Sequence, residues 1–171
     1  EAVRRDLLEQ TGDYYRQFIS QAGDDPALQL ELALTYSKLG GVHRQLGGTD
    51  EAIAAARQAL DLLRQLKANN PRELIYDGRT AVCLNNLALE LASAGRTDEA
   101  TAALGEAIRL QSELVAQEVD LPASQLALAL SHNNLGDVQR QTGNTVAARA
   151  SFETAIGIQE RLLRHDNRDD E

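Results

Sequence analysis

Methionine and tryptophan are absent from this chain, cysteine occurs once, proline three times, and aromatic residues make up only 4% of the total. Without methionine there is no initiator, as expected of a piece cut from a longer polypeptide. A single thiol excludes an intrachain disulfide, which fits a reducing compartment and a cytoplasmic location. With so few rings, the interior must be built from Leu, Ala and Gly, which let helices approach closely. No apolar run reaches the roughly 18 residues a membrane span needs, and no secretory signal is present. Basic residues are outnumbered, 17 Lys and Arg against 26 Asp and Glu, giving a net charge of −9 and a pI near 4.8. An acidic surface gains nothing from counterion release, so neither nucleic acid nor an anionic membrane is an expected partner.

What the chain has instead is a period. Gly47, Gly95 and Gly143 stand 48 residues apart, and Ala52, Ala100 and Ala148 keep that spacing, as do Ala59, Ala107 and Ala155. A spacing held three times is the signature of a stacked array of like units rather than of one closed domain. In the central copy, AVCLNNLALELASAGRTDEATAALGEAIRLQSELV, the residues Ala81, Leu84, Leu87, Ala88 and Leu91 follow a 3.6-residue period and share one helix face. Gly95 sits where a helix must end in the left-handed conformation. Thr97 is the expected N-cap of the next helix, with Asp98 and Glu99 in its first turn, where the dipole favours negative charge. The unit is therefore helix, tight turn, helix.

Asp25-Pro26, Asn70-Pro71 and Leu121-Pro122 each offer a helix start, because proline at the first helical position loses nothing by lacking an N–H. The expected division is 1–24 as the second helix of a preceding unit, 25–69, 70–119 and 120–165 as three full units, and 166–171 as a charged, frayed tail. That makes about seven helices, with a boundary or kink near Gly78 left open. Gly40 and Gly136 are placed for close helix approach; Gly40→Leu should overpack the hairpin by on the order of 1 to 3 kcal/mol. Apolar faces left bare at both ends make self-association through the terminal helices, near Phe18 and Ile156, an expected property.

Large residues and Leu-Gly in the first helix (Tyr36, Leu39, Gly40, His43; Leu84, Leu87, Ala88, Leu91; His132, Leu135, Gly136, Gln139), followed by Ala-large-Ala in the second (Ala52, Ala56, Ala59; Ala100, Leu104, Ala107; Ala148, Phe152, Ala155), resemble the tetratricopeptide repeat. The resemblance implies an all-α, right-handed solenoid of antiparallel helix hairpins. It departs in length, since the family repeat has about 34 residues. Seven more residues on each helix add close to two turns and preserve the phase of the apolar stripe. The segment LNNLALELASAG is also similar to first helices of kinesin light chains. The phrases RRDLLEQTGDYYRQFISQAGDDPALQLELALTYSKLG and LALSHNNLGDVQRQTGN resemble arrays that follow kinase domains in bacterial serine/threonine kinase-like proteins. On that likeness the chain would be a docking appendage of a larger signalling protein.

In the tetratricopeptide family the first helices line a concave groove that binds peptides. Carried onto this sequence, the groove positions are Ser37, Asn85 and Asn133; then Gly41, Leu89 and Asp137; then Arg44, Ala92 and Arg140; with Leu34, Val82 and Leu130 one turn earlier. Lys38, Asn86 and Asn134 stand beside them. Asparagine is a poor helix former, so Asn85-Asn86 and Asn133-Asn134 ask for a reason. An amide that donates and accepts suits an extended peptide backbone. It equally suits a bridge between neighbouring helices, and the sequence leaves both open. Catalysis has little to stand on: no phosphate loop, nucleophile elbow or kinase signature appears, so no cofactor is expected. His43, His132 and His165 lie in different units without metal-ligand spacing, so no metal is expected either. Cys83 aligns with Thr35 and Ser131, all small, and reads as a packed thiol. The function these residues support is a protein–protein interaction scaffold; the rival is a spacer or oligomerisation rod without a peptide ligand. Substitutions in the groove would separate the two.

Overall fold

The computed structural model describes residues 10, 13, 14, 17, 25–117 and 121–169. Six long helices follow one another: α1 (Pro26–Leu46), α2 (Thr49–Asn69), α3 (Ile75–Ser93), α4 (Thr97–Ala116), α5 (Leu121–Gln141) and α6 (Thr145–Asp169). There is no strand among the described residues. The seventh helix, expected over 1–24, falls almost wholly outside them; Gln10, Asp13, Tyr14 and Gln17 are helical. The helix of α6 continues to Asp169, past the point where a frayed tail was expected.

The turns between paired helices are one motif used three times. Gly47, Gly95 and Gly143 have φ of 83°, 74° and 79°, the left-handed region that glycine enters without a Cβ penalty. The residue after each glycine donates its N–H back into the helix, Gly48 to the His43 carbonyl at 2.8 Å, Arg96 to Leu91 at 2.8 Å and Asn144 to Gln139 at 2.9 Å. The glycine itself donates three residues back, so the last carbonyls of α1, α3 and α5 are satisfied in the same way. Only one residue is then left to cap the next helix, and it is Gly48, Arg96 or Asn144. Thr97 is therefore the first helical residue and not the N-cap, and Arg96 in the cap position makes no side-chain capping bond. Asn144 does cap, accepting from the Ala147 N–H at 3.3 Å. Asp25 caps α1 as expected, its carboxylate accepting from Ala27 N–H at 2.7 Å with Pro26 in the first turn.

One expected start does not form. Asn70 closes α2 instead of opening α3: its N–H and its side-chain amide both donate to the Leu66 carbonyl, at 2.9 and 3.1 Å. Residues 71–74 make a turn and α3 begins at Ile75. Lys67 holds that turn, its ammonium lying 2.6 Å from Asp77 and donating to the Glu73 carbonyl at 3.3 Å. Gly78 lies inside a continuous α3 and does not break it.

Each helix packs on the next, α1 also touches α3, and α3 touches α5, whereas α2 and α4 keep their backbones apart. The first helices thus form one layer and the second helices another, which is the geometry of a solenoid. Alanines 52, 100 and 107 are fully buried between the layers, as is Leu63. One apolar cluster runs without a break from Ala33 in α1 to Val138 in α5. A smaller one, Ala129, Ala155 and Ile158, joins α5 to α6. Each fully buried leucine contributes roughly 1.5 to 3 kcal/mol. A Cβ on Gly40 would sit 3.3 Å from the Ala52 carbonyl oxygen, and one on Gly136 would sit 2.7 Å from the Phe152 ring, so both glycines do mark close approach.

Candidate functional site

The side chains expected in the groove belong to α1, α3 and α5, and the stacking brings most of them to one surface. Val82 and Leu130 are about half exposed and Leu89 is exposed too, which leaves aliphatic side chains bare on α3 and α5. Lys38, Arg44, Asn86, Asn133 and Arg140 are exposed, while Leu34, Ser37, Asn134 and Asp137 are half-buried. Beside Val82 a cleft of about 310 Å³ opens between Ile75 and Arg79 of α3 and Ala123 and Ala127 of α5, floored by Gln111 and Leu114 of α4. A smaller cavity of about 50 Å³ lies between α1 and α3, where Gly40 and Gly41 lack side chains.

Asn85 differs from its companions. It is 5% exposed, and its amide is fully used inside the array. The Nδ2 group donates to the Ala81 carbonyl at 3.1 Å and to Ser131 Oγ at 2.6 Å, and Oδ1 accepts from Asn134 Nδ2 at 3.1 Å. Ser131 in turn donates to Gln111 Oε1 at 2.6 Å. Asn85 is thus a bridge between α3 and α5 rather than an open groove contact, because a buried amide must find its partners within the fold. Asn134 serves the same bridge, and Asn86 makes a longer one, donating to Ser37 Oγ at 3.5 Å.

Two features of this surface escaped the sequence reading. Glu90 is buried on α3, its Oε1 3.3 Å from Arg44 Nε. Burial pushes its carboxyl above the usual range, and the Arg44 guanidinium only partly opposes that. The signal was available, since Glu90 occupies the register of Val42 and Val138. The second is the Ser37–Cys83 hydrogen bond; burial nevertheless raises the thiol, so Cys83 is a protonated, packed side chain. His132 is half-buried, and its burial lowers its pKa. Asp137 and Arg140 pair with each other on α5 at 3.2 Å. Among the described residues no group of three His, Cys, Asp or Glu side chains is placed to hold a metal.

The opposite surface is braced. Between α2 and α4, over Leu84, Leu87 and Leu91, lies a cleft of about 380 Å³. Arg57–Glu99 at 3.2 Å and Arg64–Glu106 at 3.5 Å span it. These exposed pairs add little stability each, but they occupy the charges on that side.

Two tetratricopeptide repeat models match the chain, one over residues 32–66 and 80–117, the other over 129–161. The chain belongs to the tetratricopeptide repeat family. Repeats of this family generally mediate protein–protein interaction and are typically non-enzymatic scaffolds. Among solved structures it is similar to BtubC (BKLC) from P. vanneervenii, with a TM-score of 0.75 and 19% identity over 92% of this chain, a likeness of fold. The chain spans 58% of the length of BtubC. MamA is a more distant likeness, with a TM-score of 0.40 and 16% identity over 94% of this chain and 96% of that one. No curated protein matches. Among the described residues no helix is long and apolar enough to cross a membrane.

Proposed function

We propose that this tetratricopeptide array binds an extended peptide segment of a protein partner along the face of α1, α3 and α5. One observation carries the reading: Val82, Leu89 and Leu130 are exposed on α3 and α5, and Val82 lines a mostly apolar cleft of about 310 Å³. An aliphatic side chain of the peptide fits the cleft, and Arg79 at its rim can take a carboxylate. The amide of Asn133 and the carbonyl end of the Asn86 amide are exposed to a peptide backbone, and Lys38 joins Arg79 as a cation on a chain of net charge −9, Arg44 and Arg140 being paired with Glu90 and Asp137. The partner face is therefore apolar and acidic. Leu34, Ser37, Asn134 and Asp137 border the track. Asn85 stays on the inside, where it fixes the spacing of α3 and α5 beneath it. The resemblance of its sequence to arrays of bacterial kinase-like proteins supports reading such an interaction as a cytoplasmic signalling contact.

A peptide-display selection on the wild-type chain, repeated on Val82→Asp with Leu130→Asp, tests this. Peptides enriched on the wild type should lose at least tenfold in affinity on the variant while its helicity and urea midpoint stay unchanged. Equal binding to both would overturn the proposal and favour a spacer, for which changes near Ile156 would alter assembly instead.

A further inference from the structure

The cleft between α2 and α4 is walled by charges that the repeat does not explain. Its floor is Leu60 of α2 with Leu84, Leu87 and Leu91 of α3. These leucines are only 2 to 7% exposed, so the floor is a narrow strip that takes one row of side chains rather than a broad apolar face. Arg57, Asp61 and Arg64 stand on the α2 wall, and Glu99 and Glu106 on the α4 wall. The positions 48 residues later, on α4 and α6, hold Gly105, Arg109, Ser112, Ala147 and Thr154. The opposed rows are therefore a property of this cleft and not of the hairpin motif.

These charges are easily redirected. Arg57 and Arg64 are about half exposed and reach across to Glu99 and Glu106 at 3.2 and 3.5 Å, and exposed pairs of that kind contribute little. Glu99 stays satisfied when Arg57 turns away, because Arg96 donates to both of its oxygens at 2.7 Å. Asp61 lies 3.9 Å from Arg64, beyond hydrogen-bond distance. Arg57 and Arg64 are two helical turns apart, about 10 Å. An extended peptide covers that length in about three residues, which would put two matching carboxylates on opposite faces of the strand. A helix returns to nearly the same face every seven residues, so it can meet both arginines at once.

We propose that the cleft between α2 and α4 docks an amphipathic helix of a protein partner, lying along α2, whose aliphatic seam enters between the two ion-pair bridges. On the α2 side the partner carries two carboxylates seven residues apart for Arg57 and Arg64, with a base between them for Asp61. On the α4 side it carries one further base for Glu106. Charges arranged otherwise would set like against like along both walls, which makes the cleft selective for this pattern. The site is built from other residues than the face of Val82 and Leu130, and it stands independently of the peptide reading there.

The test uses the full chain and a synthetic helical peptide. The peptide has leucines three and four residues apart, two glutamates seven apart with a lysine between them on one flank, and a lysine on the other. Fluorescence anisotropy should show binding that weakens as salt rises. Arg57→Glu with Arg64→Glu should reduce the affinity by on the order of tenfold and leave the urea midpoint little changed, since both arginines are exposed. A second peptide, with lysines in place of the two glutamates, should bind this variant and not the wild type, a reversal that an unfolded variant would not give. Val82→Asp with Leu130→Asp should leave the first peptide's affinity unaltered. No binding to the wild type, equal binding to the charge-reversed variant, or loss on Val82→Asp with Leu130→Asp would each overturn the proposal. So would a wild-type dimer in sedimentation that the charge reversal dissociates, which would give the cleft to a second copy.

Discussion

At the scale of single residues, position in the repeat does not fix role. Asn85 and Asn133 share a register, yet one is buried in a bridge and the other faces solvent. Asn85→Ala should cost about 1 to 3 kcal/mol, because Asn134 and Ser131 lose a partner. Asn133→Ala should stay within about 0.5 kcal/mol, and urea unfolding of the two variants checks the contrast. The two-residue pattern Asn-Asn was legible as meaningful, but which amide turns inward was not. That choice depends on where Ser131 and Gln111 stand across the interface, and no single helix encodes it. Glu90 gives a pH signature. Its folded pKa is raised above the unfolded value near 4.5, so the folded state holds its proton more tightly and stability falls as pH rises from 4.5 through the folded pKa. Glu90→Gln should remove that part of the slope in a series of urea midpoints measured between pH 4 and 8; an unaltered slope would refute the assignment.

Among the elements, helix existence and pairing were readable from the glycine period and the apolar stripes, since both report local geometry. The start of α3 was not. Asn70-Pro71 has the composition of a helix opening, but Asn70 reaches back to Leu66 and Lys67 ties down the turn that follows. Long-range choices of partner overrode a local preference there. Packing between elements also trades volume across facing positions. Gly136 faces Phe152, while the same registers one hairpin earlier hold Ala88 and Leu104. Gly136→Ala, with its new Cβ 2.7 Å from the ring, should destabilise by about 1 to 3 kcal/mol. Adding Phe152→Leu should restore most of the loss by copying the central hairpin; no recovery in thermal unfolding would show that the clash is not the cause. Gly41 meets nothing within 4 Å, so Gly41→Ala should stabilise α1 by up to about 1 kcal/mol through helix propensity alone.

Over the whole molecule, the two layers have different surfaces. The second helices are laced by exposed ion pairs, and the first helices carry bare aliphatic residues and amides. A repeat sequence makes the layering legible because every copy repeats the same inward positions. It cannot show which surface a partner uses, since exposure is a property of the stack. The three hairpin tips also form a graduated probe of how the array comes apart. Gly47, Gly95 and Gly143 share one backbone conformation, and a Cβ at each would meet open space. Alanine there therefore imposes an identical strain of about 1 to 2 kcal/mol at three stations along the rod. The unbroken apolar cluster ties the first two hairpins together, whereas α6 is joined through a separate small one. Equal displacements of the melting curve are expected for the tips at 47 and 95, and a smaller, broader one for 143. Three identical displacements would instead mean that the rod melts as a single block.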